Sequence, residues 1–319
     1  MHIDVMLASL NGLSVGDALG AQFPILGTSV PELLAGRVAG RQWNWTDDTE
    51  MACSVAGELC EHGEIDQDRL AGAFARRLDR TRDYGFFAVD TLSRIGRGTP
   101  WQQAAGAVYD GQGSCGNGGA MRVAPLGACF AGDPETIVAQ AVRSAQVTHM
   151  HPEGVAGAVA VALAAGAAAE AGMRGIRPAP AEFIDEILRH LSDGETARLI
   201  RHARTLLGAP AEVAAAELGN GSRVTAQDTV PLTIWIAATH LADYPSAVTT
   251  CLAADGDIDT TGAIVGGIVA AYTGTHPQPV TGIPHTWLAT REPLPTWFDS
   301  SAATRRRPSG LRRWLPGRS

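Results

Sequence analysis

The 319-residue chain has no lysine; all 25 of its basic residues are arginine. We read this as the coding bias of a GC-rich genome, not as a mark of function. Acids outnumber bases, 33 to 25, for a formal net charge of −8. That excludes a general nucleic-acid binder, whose surface must be basic. Aromatic residues make up only 6% of the chain, while alanine and glycine abound. Small residues let helices approach closely, so the composition favours packed helices over a sandwich or barrel. The five cysteines (53, 60, 115, 129 and 251) are odd in number and never form a C-x-x-C pair. They suggest neither a disulfide framework nor a zinc site. Long hydrophobic runs are missing too. The longest uncharged apolar stretch, Val155 to Ala169, is too short and too rich in small residues for a membrane span. Asp4 interrupts the apolar start, so no signal peptide is expected. The expectation is a cytoplasmic protein with no membrane contact.

Alternating strand patterns are also nearly absent, and what remains reads as helices. Hydrophobic residues form 45% of the chain, enough to bury a large core. Residues 7–20 form a small-residue helix carrying Asp17. The polar knot Trp45-Thr46-Asp47-Asp48-Thr49-Glu50 opens an apolar helix over 51–59. Residues 68–80 are amphipathic. Asp133 caps a helix that begins at Pro134 and runs to about Val147. Residues 154–172 are apolar on every side, which predicts a buried helix. Residues 183–207 predict one peripheral amphipathic helix, and 231–241 and 261–272 two more buried ones. Proline becomes dense after Pro277. The expected organisation is one all-α domain over 1–290, then an irregular, Arg-rich tail over 291–319. The tail's last fifteen residues hold six arginines and no acid. They fit either a disordered end or contact with an acidic partner or nucleic acid.

Two carboxylate clusters stand out. Asp47 and Asp48 are adjacent, between Thr46 and Thr49. Asp255, Asp257 and Asp259 alternate just before an apolar helix. Hard cations take several oxygen ligands, which Asp and Thr supply. Helix capping is the competing reading for each cluster: Asp47 and Glu50 have capping-box spacing, and Asp257 to Thr261 could cap the next helix. A calcium EF-hand loop fails for the second cluster, because its sixth position is Thr260 and its twelfth Gly266.

Between the clusters lies Gly113-Ser114-Cys115-Gly116-Asn117-Gly118-Gly119-Ala120-Met121-Arg122. Such a loop lets backbone N–H groups approach phosphate or ribose, or else makes a simple turn. It is neither a P-loop nor a dinucleotide fingerprint. Arg122 either meets an anion or braces the loop. His149, in Thr148-His149-Met150-His151-Pro152, either contacts a sugar or phosphate or ends a helix favourably. His151, before proline, reads as a turn residue.

Taken in order, these segments closely resemble the ADP-ribosylglycohydrolase family. The resemblance is carried by Gly16-Asp17-Ala18-Leu19-Gly20, Trp45 to Thr49, the loop from Gly113 to Arg122, Thr148-His149 and Gly256 to Thr261. It covers roughly residues 5 to 275. It implies a single all-α domain with a cleft holding two Mg²⁺ or Mn²⁺ ions. One ligand set would be Thr46, Asp47 and Asp48; the other would be Asp257, Asp259 and Thr260. Gly113, Ser114, Gly116, Asn117 and Gly118 would hold the diphosphate and distal ribose, with Met121 and His149 lining the pocket. Asp17 would support the metal site from behind. The implied reaction removes ADP-ribose from an acceptor, a protein side chain or nucleic acid, by hydrolysis at the anomeric ribose carbon. A monomer is expected.

One departure matters. Family members carry Glu four residues after the second glycine of G-D-A-L-G, and here that position is Pro24. Proline can neither transfer a proton nor bind a metal. Glu32 is the next acid along. The resemblance, more loosely, offers Asp83 as a catalytic acid beside Asp48, whereas a surface ion pair with Arg80 or Arg82 is the plainer reading of Asp83. A binding protein that has lost turnover at Pro24 is therefore the alternative to an enzyme.

Overall fold

The computed structural model describes residues 1–37, 40–277 and 279–298. Residues 299–319, most of the expected Arg-rich tail, lie outside the described residues. Among the described residues there are sixteen α-helices and no strand. In the first half they are α1 (Ile3–Leu26), α2 (Val30–Leu34), α3 (Asp47–His62), α4 (Gln67–Arg77), α5 (Phe86–Gly96), α6 (Trp101–Gly106), α7 (Ala124–Cys129) and α8 (Pro134–Gln146). In the second half they are α9 (Pro152–Met173), α10 (Pro180–Leu188), α11 (Glu195–Thr205), α12 (Ala211–Leu218), α13 (Ala226–Thr239), α14 (Tyr244–Ala254), α15 (Ile258–Thr273) and α16 (His285–Thr290). The expected all-α architecture is what is found.

The core is organised by two long helices from opposite ends of the chain. Gly12, Gly16 and Gly20 recur every four residues, so they share one face of α1. Gly262 and Gly266 do the same on α15. The two faces meet backbone to backbone. A Cβ on Gly16 would lie 2.0 Å from the Gly262 carbonyl oxygen, and one on Gly266 2.4 Å from that of Gly12. Side-chain hydroxyls tie the seam at its edges. Tyr244 Oη donates to Gly12 O (2.6 Å) and Ser9 Oγ to Gly267 O (2.8 Å). Helix α9 packs among α7, α8, α13 and α15, which explains why it is apolar all round. By length and composition α9 could cross a membrane, but most of its surface is buried within this fold.

Several boundaries differ from expectation for identifiable reasons. Helix α1 outruns residues 7–20 at both ends and passes through Pro24 before stopping at Gly27, which has φ +62°. The cap of α3 is Thr46 rather than Asp47: Thr46 Oγ1 accepts from Asp48 N at 3.4 Å. Glu50 does not reach back to form a capping box; its Oε2 accepts from Tyr84 Oη (2.8 Å) and Asp79 N (3.3 Å). The single helix expected over 183–207 is two, α10 and α11. Glu153 of α9 supplies the missing cap for α11, accepting from Glu195 N (2.8 Å) and Thr196 N (2.9 Å). His151 is more than a turn residue, since its Nδ1 accepts from Glu153 N and caps α9. Residues 291–298 pack on the domain. The Arg82 guanidinium donates to both Glu292 carboxylate oxygens (2.7 and 2.9 Å), and Trp45 Nε1 donates to Pro293 O (3.0 Å).

Candidate active site

The close α1–α15 seam sets the N-terminal turn of α15 beside Asp17. A Cβ on Gly20 would touch the backbone of Ile258 and Asp259. Asp17 is fully buried and faces the start of α3. It accepts from Thr46 N (3.0 Å to Oδ2), Thr49 N (3.1 Å) and both threonine hydroxyls. This side chain therefore holds the Thr46–Thr49 turn in place. The one Thr46 hydroxyl proton serves Asp17 Oδ1 (2.9 Å) or Asp48 Oδ2 (3.1 Å). Asp48 Oδ1 is buried and has no hydrogen-bond partner.

From the far side, Asp257 stands at the N-cap position of α15, its side chain making no capping bond, and Asp259 and Thr260 fill the first turn. Asn117 Nδ2 donates to Asp257 Oδ2 (2.6 Å) and Thr229 Oγ1 (3.1 Å). The glycine-rich loop is thus bonded to the second carboxylate cluster, 140 residues away. Both clusters lie at helix N-termini, where the dipole favours negative charge.

These acids are under strong mutual repulsion. Burial, opposed by the Thr49 and Thr46 hydrogen bonds and assisted by the Asp259 charge, pushes Asp17 up to about 7. Burial, with Asp259 close by, does the same to Asp257. Asp47 and Asp48 are raised well above the usual carboxylate range, by burial first and then by Asp17 and Asp259. Among the described residues, none of the five acids has an arginine or histidine ion-pair partner. All-oxygen donors, uncompensated charge and the bare Asp48 Oδ1 suit a hard divalent cation. The geometry is open: among the described residues no three such side chains already close around a point. Like charges at close quarters favour that spread.

Beyond the acids extends a cleft of about 470 Å³. Asp47, Asp48, Asp257, Asp259 and Thr260 line one part of it; Ser114, Gly116, Asn117, Gly118, Met121 and His149 line another. Cβ atoms on Gly116 and Gly118 would lie 3.1 Å from His149 Nε2 and 2.8 Å from its Cε1. Glycine there lets the loop lie against the imidazole edge. Gly113 has a different task. It takes φ +77° and packs on Met150 and His151, away from the cleft. Thr46 also stands outside this cleft, in a second one of about 480 Å³ shared with Gln22, Asn44, Arg82, Asp83 and Glu292. Arg122 is the brace: fully buried, it donates to Gly118 O (3.0 Å), Ser144 O (2.6 Å) and Thr148 Oγ1 (3.0 Å). Burial, with Arg122 nearby, pushes His149 down to about 3, so its ring is neutral.

This fold and this cleft can be set beside known proteins. The ADP-ribosylglycohydrolase family model matches residues 2–312. The chain belongs to that family. ADP-ribosylhydrolase ARH3 of Xenopus tropicalis is 29% identical over 315 residues, covering 85% of this chain and 88% of the relative. The ADP-ribosyl-dinitrogen reductase glycohydrolase of Rhodospirillum rubrum is 31% identical over 159 residues, 47% of this chain and 52% of that one. Among solved structures, an ADP-ribosylglycohydrolase-related protein complex aligns with a TM-score of 0.58 at 25% identity, covering 91% of this chain and 93% of that chain.

This member of the family has a mouth that its sequence patterns did not reveal. Phe86, Phe87, Tyr109, Arg223 and Val224 rim the cleft. Phe86 is 80% exposed, and Phe87 packs on Tyr109 with ring centroids 4.6 Å apart. In sequence Phe86, Phe87, Tyr109 and Val224 pass for core residues; in the structure Asp83, Tyr109, Asp110 and Val224 take positive φ at or beside the rim. Asp83 is exposed, lines both clefts and forms no ion pair with Arg80 or Arg82. Arg82 is engaged by Glu292, and Arg80 donates to Ser93 Oγ (3.0 Å). Pro24 faces solvent on the last turn of α1, and Glu32 caps its own short helix with Ser29.

Proposed function

We propose that this chain hydrolyses the bond joining ADP-ribose to an acceptor, at the anomeric carbon of the ribose, with two Mg²⁺ or Mn²⁺ ions at the acidic end of the cleft. The observation that carries this reading is the set of five gathered carboxylates without a counter-charge among the described residues, with Asp48 lining the cleft and its buried Oδ1 unpartnered. Thr46, Asp47 and Asp48 would hold one ion; Asp257, Asp259 and Thr260 the other. Such ions orient ribose hydroxyls, polarise water and stabilise charge as the bond breaks. The chain's own residues do the rest. Asp17 and Asn117 keep the two acid clusters in register. The Gly116–Gly118 stretch leaves room for the diphosphate, although the Gly116 and Asn117 N–H groups donate to Ser114 Oγ (3.1 Å) and Val224 O (3.2 Å), and the His149 ring offers it a donor. Asp48 and Asp83 are the carboxylates available for proton transfer, Asp83 standing unpaired between the two clefts. The named substrate of the R. rubrum relative is a modified protein, which favours a protein acceptor over nucleic acid here.

The test measures free ADP-ribose released from ADP-ribosylated arginine, serine and nucleic-acid substrates, with and without Mg²⁺. Release that needs the ion and is lost in Asp257→Ala supports the reading. No release from any substrate, by protein that binds Mg²⁺, sinks it. One observation favours a second reading. No acid stands at Pro24, and Glu32 is committed to its own cap. A sensor without turnover fits that, and calorimetry would then show ADP-ribose binding with no release.

A further inference from the structure

Arg122, Thr148 and His149 form a hydrogen-bonded chain whose proton count admits one solution. A guanidinium only donates. Its Nη2 lies 3.0 Å from Thr148 Oγ1, so that oxygen accepts. Thr148 Oγ1 is also 2.7 Å from His149 Nδ1. The hydroxyl has one proton and, among the described residues, no other acceptor for it. If Nδ1 carried the ring proton, the buried hydroxyl would face two donors and its own proton would have no partner. Buried polar hydrogens are almost always paired.

We propose that Arg122 and Thr148 fix the proton of His149 on Nε2, making the ring a permanent donor toward an anionic oxygen in the cleft. Nε2 has no partner among the described residues, although His149 is only 7% exposed and lines the cleft. It faces the stretch where Gly116 and Gly118 present backbone with no side chain between. An N–H aimed at a stretch without side chains suits a phosphate oxygen, which needs a donor and room against the backbone. The ligand is then a diphosphate, a point that rests on the functional reading above. Burial and the Arg122 charge keep the ring neutral across ordinary pH, so the donor neither gains a second proton on Nδ1 nor turns into an acceptor. Arg122 and Thr148 are positioning residues: neither needs to touch the ligand.

Arg122 is buried and its removal endangers the fold, so the test turns on Thr148. Long-range ¹H–¹⁵N spectra of the ligand-free full chain, labelled at histidine and assigned with His149→Asn, read the tautomer directly. Wild type is expected to show Nε2–H from pH 5 to 8. Thr148→Val keeps the shape, removes the relay, mixes the tautomers and weakens ADP-ribose and inorganic pyrophosphate binding roughly tenfold or more. Thr148→Ser restores both. An Nδ1–H ring or an imidazolium in wild type overturns the proposal. So does Thr148→Val with unchanged tautomer and affinity. An Nε2–H ring in a protein that binds pyrophosphate but not ADP-ribose supports the relay and overturns the functional reading instead.

Discussion

The two ends of the cleft are built on opposite principles. The acidic end stands on the first turns of α3 and α15, locked by Asp17 and by a seam in which two helix backbones touch. The mouth is made of exposed aromatic rings and residues with strained backbone, Tyr109 and Val224 among them. Groups that must hold charge in fixed geometry sit on rigid elements. The mouth instead lies on the first turn of α5 and on the irregular segments at Tyr109 and Val224. Damage at the acidic end should therefore be large and couple stability to activity, while damage at the mouth should be small and separable.

The sharpest way to break that contrast is Gly16→Val. Its side chain has no room against the Gly262 carbonyl, so unfolding in urea should show a loss of about 3 kcal/mol or more. An unchanged midpoint would mean that the seam is not rigid. Next comes Asp48→Asn. We expect the rate of ADP-ribose release to fall at least about a hundredfold and the Mg²⁺-dependent rise in melting temperature to vanish. Cation-free protein should be no less stable than wild type, because a repelling charge has gone. A cation-free variant that melts markedly lower would contradict this.

The third prediction concerns pH. Asp17 and Asp257 hold their protons to about 7 in the fold, but an unfolded aspartate gives its proton up near 3.8. Between these values the folded state binds more protons, so raising the pH removes stability. Without divalent ions the melting temperature should fall from pH 5 to pH 8, and Mg²⁺ should offset the fall. A rise over that range would show that the acids are not crowded as described. The smallest effect belongs to the mouth. Val224 is β-branched and exposed at φ +56°. Val224→Gly should raise stability by about 0.5–1 kcal/mol with less than a fivefold change in KM.

The sequence announces the acidic end much better than the mouth. The Asp and Thr residues carry local signals, the helix-start chemistry at 46–50 and 257–261, and residues 7–20 read as a small-residue helix. Capping does not exhaust these residues: Thr46 caps α3 through its hydroxyl, whereas Asp257 stands at the N-cap position of α15 without a side-chain capping bond and is bonded to Asn117 instead. What remained illegible was long-range. Nothing near Asn117 announces a bond to Asp257, and nothing near Glu153 announces that it caps α11. The helix expected over 183–207 split for that reason. Phe86 and Phe87 escaped because an apolar residue looks alike whether it is buried or held out at a rim.

The glycine seam has one more consequence, for synthesis. It joins residue 16 to residue 262, so Asp17 and Asp259 cannot meet until α15 has left the ribosome. Contacts so distant in sequence form slowly. Until then the emerging chain exposes glycine-lined helix faces with nothing to cover them, and its two acid clusters stay apart. The finished site and the finished fold arrive in the same late event.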